Sequence, residues 1–145
     1  MATPSGRKTR FNHHQLVDRV LGTAADIGGI MFEEHRFIQG MFAFKGTGLE
    51  TPVSFEPKVT YQVPSDKRAQ LIYCRIGNPT PEFLYVALNH DGKSMRMFPC
   101  GAKAGIHVPL AIIDDILPDS VLELVIAAPE GLTAKVMVDL GFVEI

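Results

Sequence analysis

Residues 83–98 read Phe83-Leu84-Tyr85-Val86-Ala87-Leu88-Asn89-His90-Asp91-Gly92-Lys93-Ser94-Met95-Arg96-Met97-Phe98, two apolar runs that meet at an Asp-Gly step. A two-residue hairpin turn of the common type needs positive φ at both central positions, which Gly adopts freely and Asp tolerates, so Asp91-Gly92 predicts a tight antiparallel hairpin. The same pattern continues on either side. Val59, Tyr61 and Val63 alternate over residues 59–63, and Pro64-Ser65-Asp66 closes that run. Residues 70–76 form another run, which Asn78-Pro79-Thr80-Pro81 turns back. Residues 106–110 are a short one, and Pro118-Asp119 introduces the last two, at 121–127 and 133–143. Seven or eight strands at roughly ten-residue spacing predict an all-β fold, an antiparallel β-sandwich. The alternating helices that a parallel sheet requires are missing.

Toward the N-terminus the periodicity is mixed. Ile38, Gly40, Phe42 and Phe44 alternate as a strand does, whereas Phe32 and Glu33-Glu34-His35-Arg36 suit a helical turn, and the reading for residues 30–44 is one or two strands. Lys45-Gly46-Thr47-Gly48 reads as a turn, residues 51–57 as an irregular edge segment holding Pro52 and Pro57, and residues 112–116 as a helical turn. Earlier still, Asn12 stands three residues before Gln15 as a capping box does, and Leu16, Val17, Val20, Leu21 and Ala24 share one helical face. This predicts an amphipathic helix over residues 13–26, weakened at Gly22 by about 1 kcal/mol relative to Ala and ended by Gly28-Gly29. Residues 1–10 hold Pro4, Gly6, Arg7, Lys8 and Arg10 and predict a flexible basic arm ahead of a single domain spanning residues 11–145.

The 145 residues are 46% apolar and 21% charged, enough for one core that buries on the order of two thirds of the unfolded surface. Cys74 and Cys100 are the only cysteines, and the polar, basic start has no secretory apolar core, which predicts a cytoplasmic protein with reduced thiols. No apolar stretch approaches the ~20 residues of a membrane-crossing helix. Net charge is −2 but unevenly spread. Arg7, Lys8, Arg10 and Arg19 against Asp18 make the first 19 residues about +3. Asp114, Asp115, Asp119, Glu123, Glu130, Asp139 and Glu144 against Lys135 make residues 109–145 about −6. Such a chain can attract copies of itself.

Gly29, His35, Gly92, Pro99, Gly101 and His107 resemble scattered positions of the cupins, metal-binding β-sandwich enzymes, and the resemblance implies a metal-dependent alternative. It stops at the ligands, since Phe37 stands where a second His belongs, the next acid is Glu50, and His107 falls late. His13 and His14 are adjacent, so a helix would point them about 100° apart, too far to share an ion. Glu33, Glu34 and His35 suit either a ligand set or a hairpin's solvent face. Cys74 and Cys100 read as buried apolar thiols, and the sequence near them supplies no orienting group for a Cys-His pair with His107. Four cations over nineteen residues, with Phe11 alone for stacking, are too few to predict nucleic-acid binding. Met31, Met41, Met95 and Met97 suit core gaps or an adaptable apolar surface.

No cofactor and no metal are therefore predicted, and the function expected is non-enzymatic. The expectation is a structural or accessory subunit that forms a homo-oligomer or joins a larger partner, with Leu16, Val17, Val20, Leu21, Arg7, Lys8 and Arg10 as the interface. A small-molecule or carbohydrate-binding module is the main alternative. A sandwich enzyme using Glu33, Glu34, His35, His90 or His107 is the other.

Overall fold

In the computed structural model, residues 33–111 and 113–145 are described. The predicted arm and helix, with all seven interface residues, His13, His14, Gly29 and Met31, lie outside the described residues. The described chain forms nine antiparallel strands: β1 (Glu34–Lys45), β2 (Gly48–Gln62), β3 (Ala69–Asn78), β4 (Leu84–His90), β5 (Lys93–Cys100), β6 (Ala104–Pro109), β7 (Asp115–Ile116), β8 (Val121–Ala128) and β9 (Thr133–Glu144). Their order is β5-β4-β8-β2-β1-β9-β3-β6, with β7 paired to β3. Two halves face each other, β5-β4-β8-β2 and β1-β9-β3-β6. A single pairing, Ala43 with Glu56, joins them at one corner, and the short turn between β5 and β6 links the opposite edges. The result is a nearly closed, sandwich-like barrel. No helix long and apolar enough to cross a membrane occurs among the described residues.

Alternation builds the core. Val136, Val138, Leu140 and Phe142 of β9 point inward with Ile38 and Phe44 of β1 and Leu71, Cys74 and Ile76 of β3. Leu84, Val86 and Leu88 of β4 and Leu122, Leu124 and Ile126 of β8 oppose them. Full burial of such a side chain contributes roughly 1.5–3 kcal/mol. The rings of Tyr61 and Phe142 close one end of this core at 4.7 Å between centroids.

The hairpin forms as the Asp-Gly step requires, with φ of 50° at Asp91 and 84° at Gly92. Asp91 also fastens the turn to β8, since its N–H donates to the Val121 carbonyl and its Oδ1 accepts from the Val121 N–H, both at 2.8 Å. A Cβ at Gly92 would meet open space, so the backbone angle alone penalises a substitution. Gly92→Val is expected to destabilise by roughly 1–3 kcal/mol and Lys93→Val far less, read as urea midpoints; equal midpoints would contradict the turn.

Two local readings change and a third narrows from one or two strands to one. Residues 51–57 belong to one fifteen-residue strand, β2, whose ladder with β8 is irregular between Gly48 and Val53 and again between Ser54 and Val59. Pro52 and Pro57 fall in those two gaps, where no ladder hydrogen bond is lost. Asp115 and Ile116 are a strand against Gln70 and Ala69, in place of a helical turn. Residues 34–45 make one continuous strand because β9 pairs it from Glu34↔Glu144 to Lys45↔Thr133.

Candidate functional site

The outer face of β1-β9-β3-β6 departs from a plain solvated sheet. Register lines up side chains from four strands in rows. One row runs Met41, Met137, Gly77, Gly105, and the next runs Gln39, Asp139, Arg75, His107. A third runs Phe37, Gly141, Tyr73, Pro109.

The first row is an apolar trough. Met41 and Met137 are 54% and 46% exposed, far more than packing methionines are, and the two glycines leave a floor without side chains. With Asn78, Pro79, Lys103 and Ala104 they line an open groove of about 510 Å³.

The second row is a hydrogen-bonded network centred on Asp139. The Tyr73 hydroxyl donates to its Oδ1 at 2.8 Å, Gln39 Nε2 donates to the same oxygen at 3.1 Å, and an Arg75 nitrogen lies 3.8 Å from Oδ2. The Arg75 guanidinium sits 5.3 Å from the Tyr73 ring centroid, and the His107 ring meets Tyr73 edge-on at 5.8 Å. Tyr73 lies over Gly141 so closely that a Cβ there would enter the ring, an aromatic side chain covering a bare glycine of the next strand. A bulge between Leu71 and Tyr73 sets the ring there.

Burial first, then the hydrogen bond to Asp139, lift the Tyr73 phenol from 10.0 to about 12. Burial, with the Asp139 charge adding to it, pushes the Cys74 thiol from 9.0 to about 12, and burial also raises Cys100. A group whose folded value is raised contributes stability that is whole below its unfolded value and is lost as pH climbs through the folded one. Denaturant midpoints should therefore hold up to about pH 9 and fall progressively toward pH 12. Replacing both residues, as Tyr73→Phe with Cys74→Val, should flatten that fall. Midpoints constant across the window would contradict it.

Two sequence expectations concern nucleophiles and bases. Cys74 and Cys100 are buried free thiols, with the Cys100 Sγ donating to the Ala104 carbonyl at 3.3 Å. Sequence alone did not bring Ser120 beside His90, yet the two meet at 3.0 Å between Oγ and Nε2, with Asp91 Oδ2 3.4 Å from the same nitrogen. A catalytic relay needs the carboxylate on the other ring nitrogen, so this grouping ties the hairpin to β8 and lacks a base-orienting acid. Glu33, Glu34 and His35 separate. Glu33 and His35 border an apolar pocket of about 260 Å³ with Phe37, Ile72 and Tyr73, while Glu34 pairs with Arg36 at 3.0 Å and with Lys67 at 3.4 Å. Arg36 also lies 3.4 Å from the fully buried Glu144, bridging two carboxylates that stand opposite each other across β1 and β9. No group of three His, Cys, Asp or Glu side chains suited to a metal occurs among the described residues.

No family model matches this chain. A search of curated proteins finds no match either. Among solved structures, that of the infectious bursal disease virus Gx strain aligns over 77% of this chain and 32% of that chain, with TM-score 0.43 and 12% identity. The crystal structure of an exo-β-1,3-galactanase from Phanerochaete chrysosporium with galactose aligns over 80% of this chain and 30% of that chain, with TM-score 0.37 and 12% identity. This chain spans about a third of the length of each, and likeness at this level carries no functional argument.

Proposed function

We propose that the chain is a non-enzymatic structural or accessory protein that assembles with further copies of itself, the N-terminal segment of one copy engaging the sandwich of the next. The observation that carries this reading is where the fold gathers its exposed acids. Strands β1, β3, β5 and β8 begin, and β2, β4, β6 and β9 end, at one end of the barrel. Glu33, Glu34, Asp66, Asp91, Asp114, Asp115 and Asp119 are exposed or half-exposed there, against Lys67, Arg68, Lys93 and Arg96. That end offers countercharge to Arg7, Lys8 and Arg10, to which Leu16, Val17, Val20 and Leu21 add apolar side chains. Exposed charges are screened beyond about 8 Å at physiological ionic strength, so the association should weaken with salt.

Truncation before Asp26 tests this. The truncated protein is expected to stay folded and to have a lower mass by light scattering than the full-length chain. If it keeps the full-length mass, the segment has no part in assembly.

A binding module for a small molecule or carbohydrate is a second reading, favoured by the Tyr73 ring lying on the sheet beside the Gln39, Asp139 and Arg75 polar groups. It is separated from assembly by calorimetric titration of a Tyr73→Ala variant with a sugar panel. Binding by the parent that the variant lacks would favour the module.

A further inference from the structure

Two parts of this molecule complement each other in both sign and polarity, although they cannot meet within one copy. The first is the outer groove floored by Gly77 and Gly105 and flanked by Met41 and Met137. Its rim is cationic. Lys103 lines it, Lys135 lies one row away beside Ala43, and Arg75 lies one row away on the other side, half exposed at 54%. The nearest acid in these rows, Asp139, is held by Tyr73, Gln39 and Arg75.

The second part is the connection from β6 to β8, residues 113–119, which reads Ile113-Asp114-Asp115-Ile116-Leu117-Pro118-Asp119. Ile116 is buried and anchors it, and Asp115 pairs with Gln70 of β3. On either side of that anchor, Ile113 and Leu117 are 48% and 59% exposed. Asp114 and Asp115 pair with Arg96 and Arg68 at 2.8 and 2.6 Å, yet both carboxylates remain 41% exposed, and Asp119 accepts a hydrogen bond from Ser65. This is an acidic segment displaying two large apolar side chains.

We propose that the groove receives the 113–119 segment of a second copy, so that copies join head to tail. The segment cannot reach its own groove, because Gln70 beside it and Gly77 at the groove lie seven residues apart on β3, about 23 Å at ~3.3 Å per residue. Ile113 and Leu117 cover the exposed methionines and the glycine floor, while Asp114, Asp115 and Asp119 face Lys103, Lys135 and Arg75. Two different patches meet in such a contact, which closes into a ring or continues as a filament. The inference rests on the self-assembly reading above and adds a second contact to the same acidic end, one that association needs alongside the N-terminal segment.

The experiment uses the full chain with either Met137→Asp in the groove or Leu117→Lys in the segment. Both positions are exposed, and matching unfolding midpoints confirm that the variants fold. In sedimentation velocity the wild type is expected to exceed a dimer and each variant alone to be monomeric. An equimolar mixture of the two should form a one-to-one dimer and stop there, since it retains a single working groove and a single working segment per pair. A charge exchange supplies the second arm. Lys103→Glu alone and Asp119→Lys alone should each weaken association at least tenfold, and the chain carrying both should recover it. If the wild type associates while both apolar variants keep its mass, or if the mixture stays monomeric, the groove serves another occupant and this inference is overturned with the assembly reading intact. A wild type that stays monomeric overturns both.

Discussion

Gly46→Ala is expected to destabilise the domain by about 3 kcal/mol or more, among the largest effects of any one-carbon change in this chain. Gly46 is buried in the turn after β1, where its N–H donates to the Leu132 carbonyl at 2.6 Å and its carbonyl accepts from the Gly131 N–H at 3.0 Å. A Cβ would strike the carbonyl oxygen of Pro129 and come within 2.9 Å of that of Ala128. Both are backbone atoms, so relief requires the 129–132 turn to move and its hydrogen bonds to stretch. Gly101→Ala is the control, since a Cβ there meets open space and the backbone is not in the left-handed region. Thermal or urea unfolding of the two variants checks this, and comparable losses would contradict the close approach.

Leu124→Ala should cost about 2–5 kcal/mol. Leu124 is fully buried on β8, between Leu88 of β4 and Val59 of β2, and the strands on both sides hold β8 in place. A cavity there has little freedom to collapse, which places the expected loss in the upper half of that range. Leu117→Ala, at a position 59% exposed, should change stability by no more than about 0.5 kcal/mol. A Leu124→Ala loss as small as that of Leu117→Ala would mean that β8 does not occupy the middle of its half of the barrel.

The parts of this architecture legible in the sequence are those set by short-range rules. Asp91-Gly92 dictates its own turn, the alternation in residues 59–63 places Tyr61 and Val63 inside, where they are buried, and the apolar runs at 70–76 and 133–143 lie in strands. The unread parts depend on distant partners. Two residues suffice for β7 only because Ala69 and Gln70 are already extended beside them. The prolines of β2 argue locally against a strand, and only the register with β8 reveals that they occupy its gaps.

The groove shows the same limit. Met41 drew attention in the sequence, but Met137, Gly77 and Gly105 join it only through the pairing of four strands. Likewise Arg36 looks like one member of an exposed polar run, and its burial against Glu144 follows from the pairing of β1 with β9. The Ser120 and His90 contact needs β4 and β8 side by side.

Assembly through complementary charge and apolar surface sets the mass of the full-length chain in sedimentation equilibrium at tens of micromolar, at low and at high salt. A mass well above the 15.9 kDa of one chain is expected at low salt, falling toward that value as salt rises. A chain that sediments as a monomer at low salt across that concentration range would contradict it.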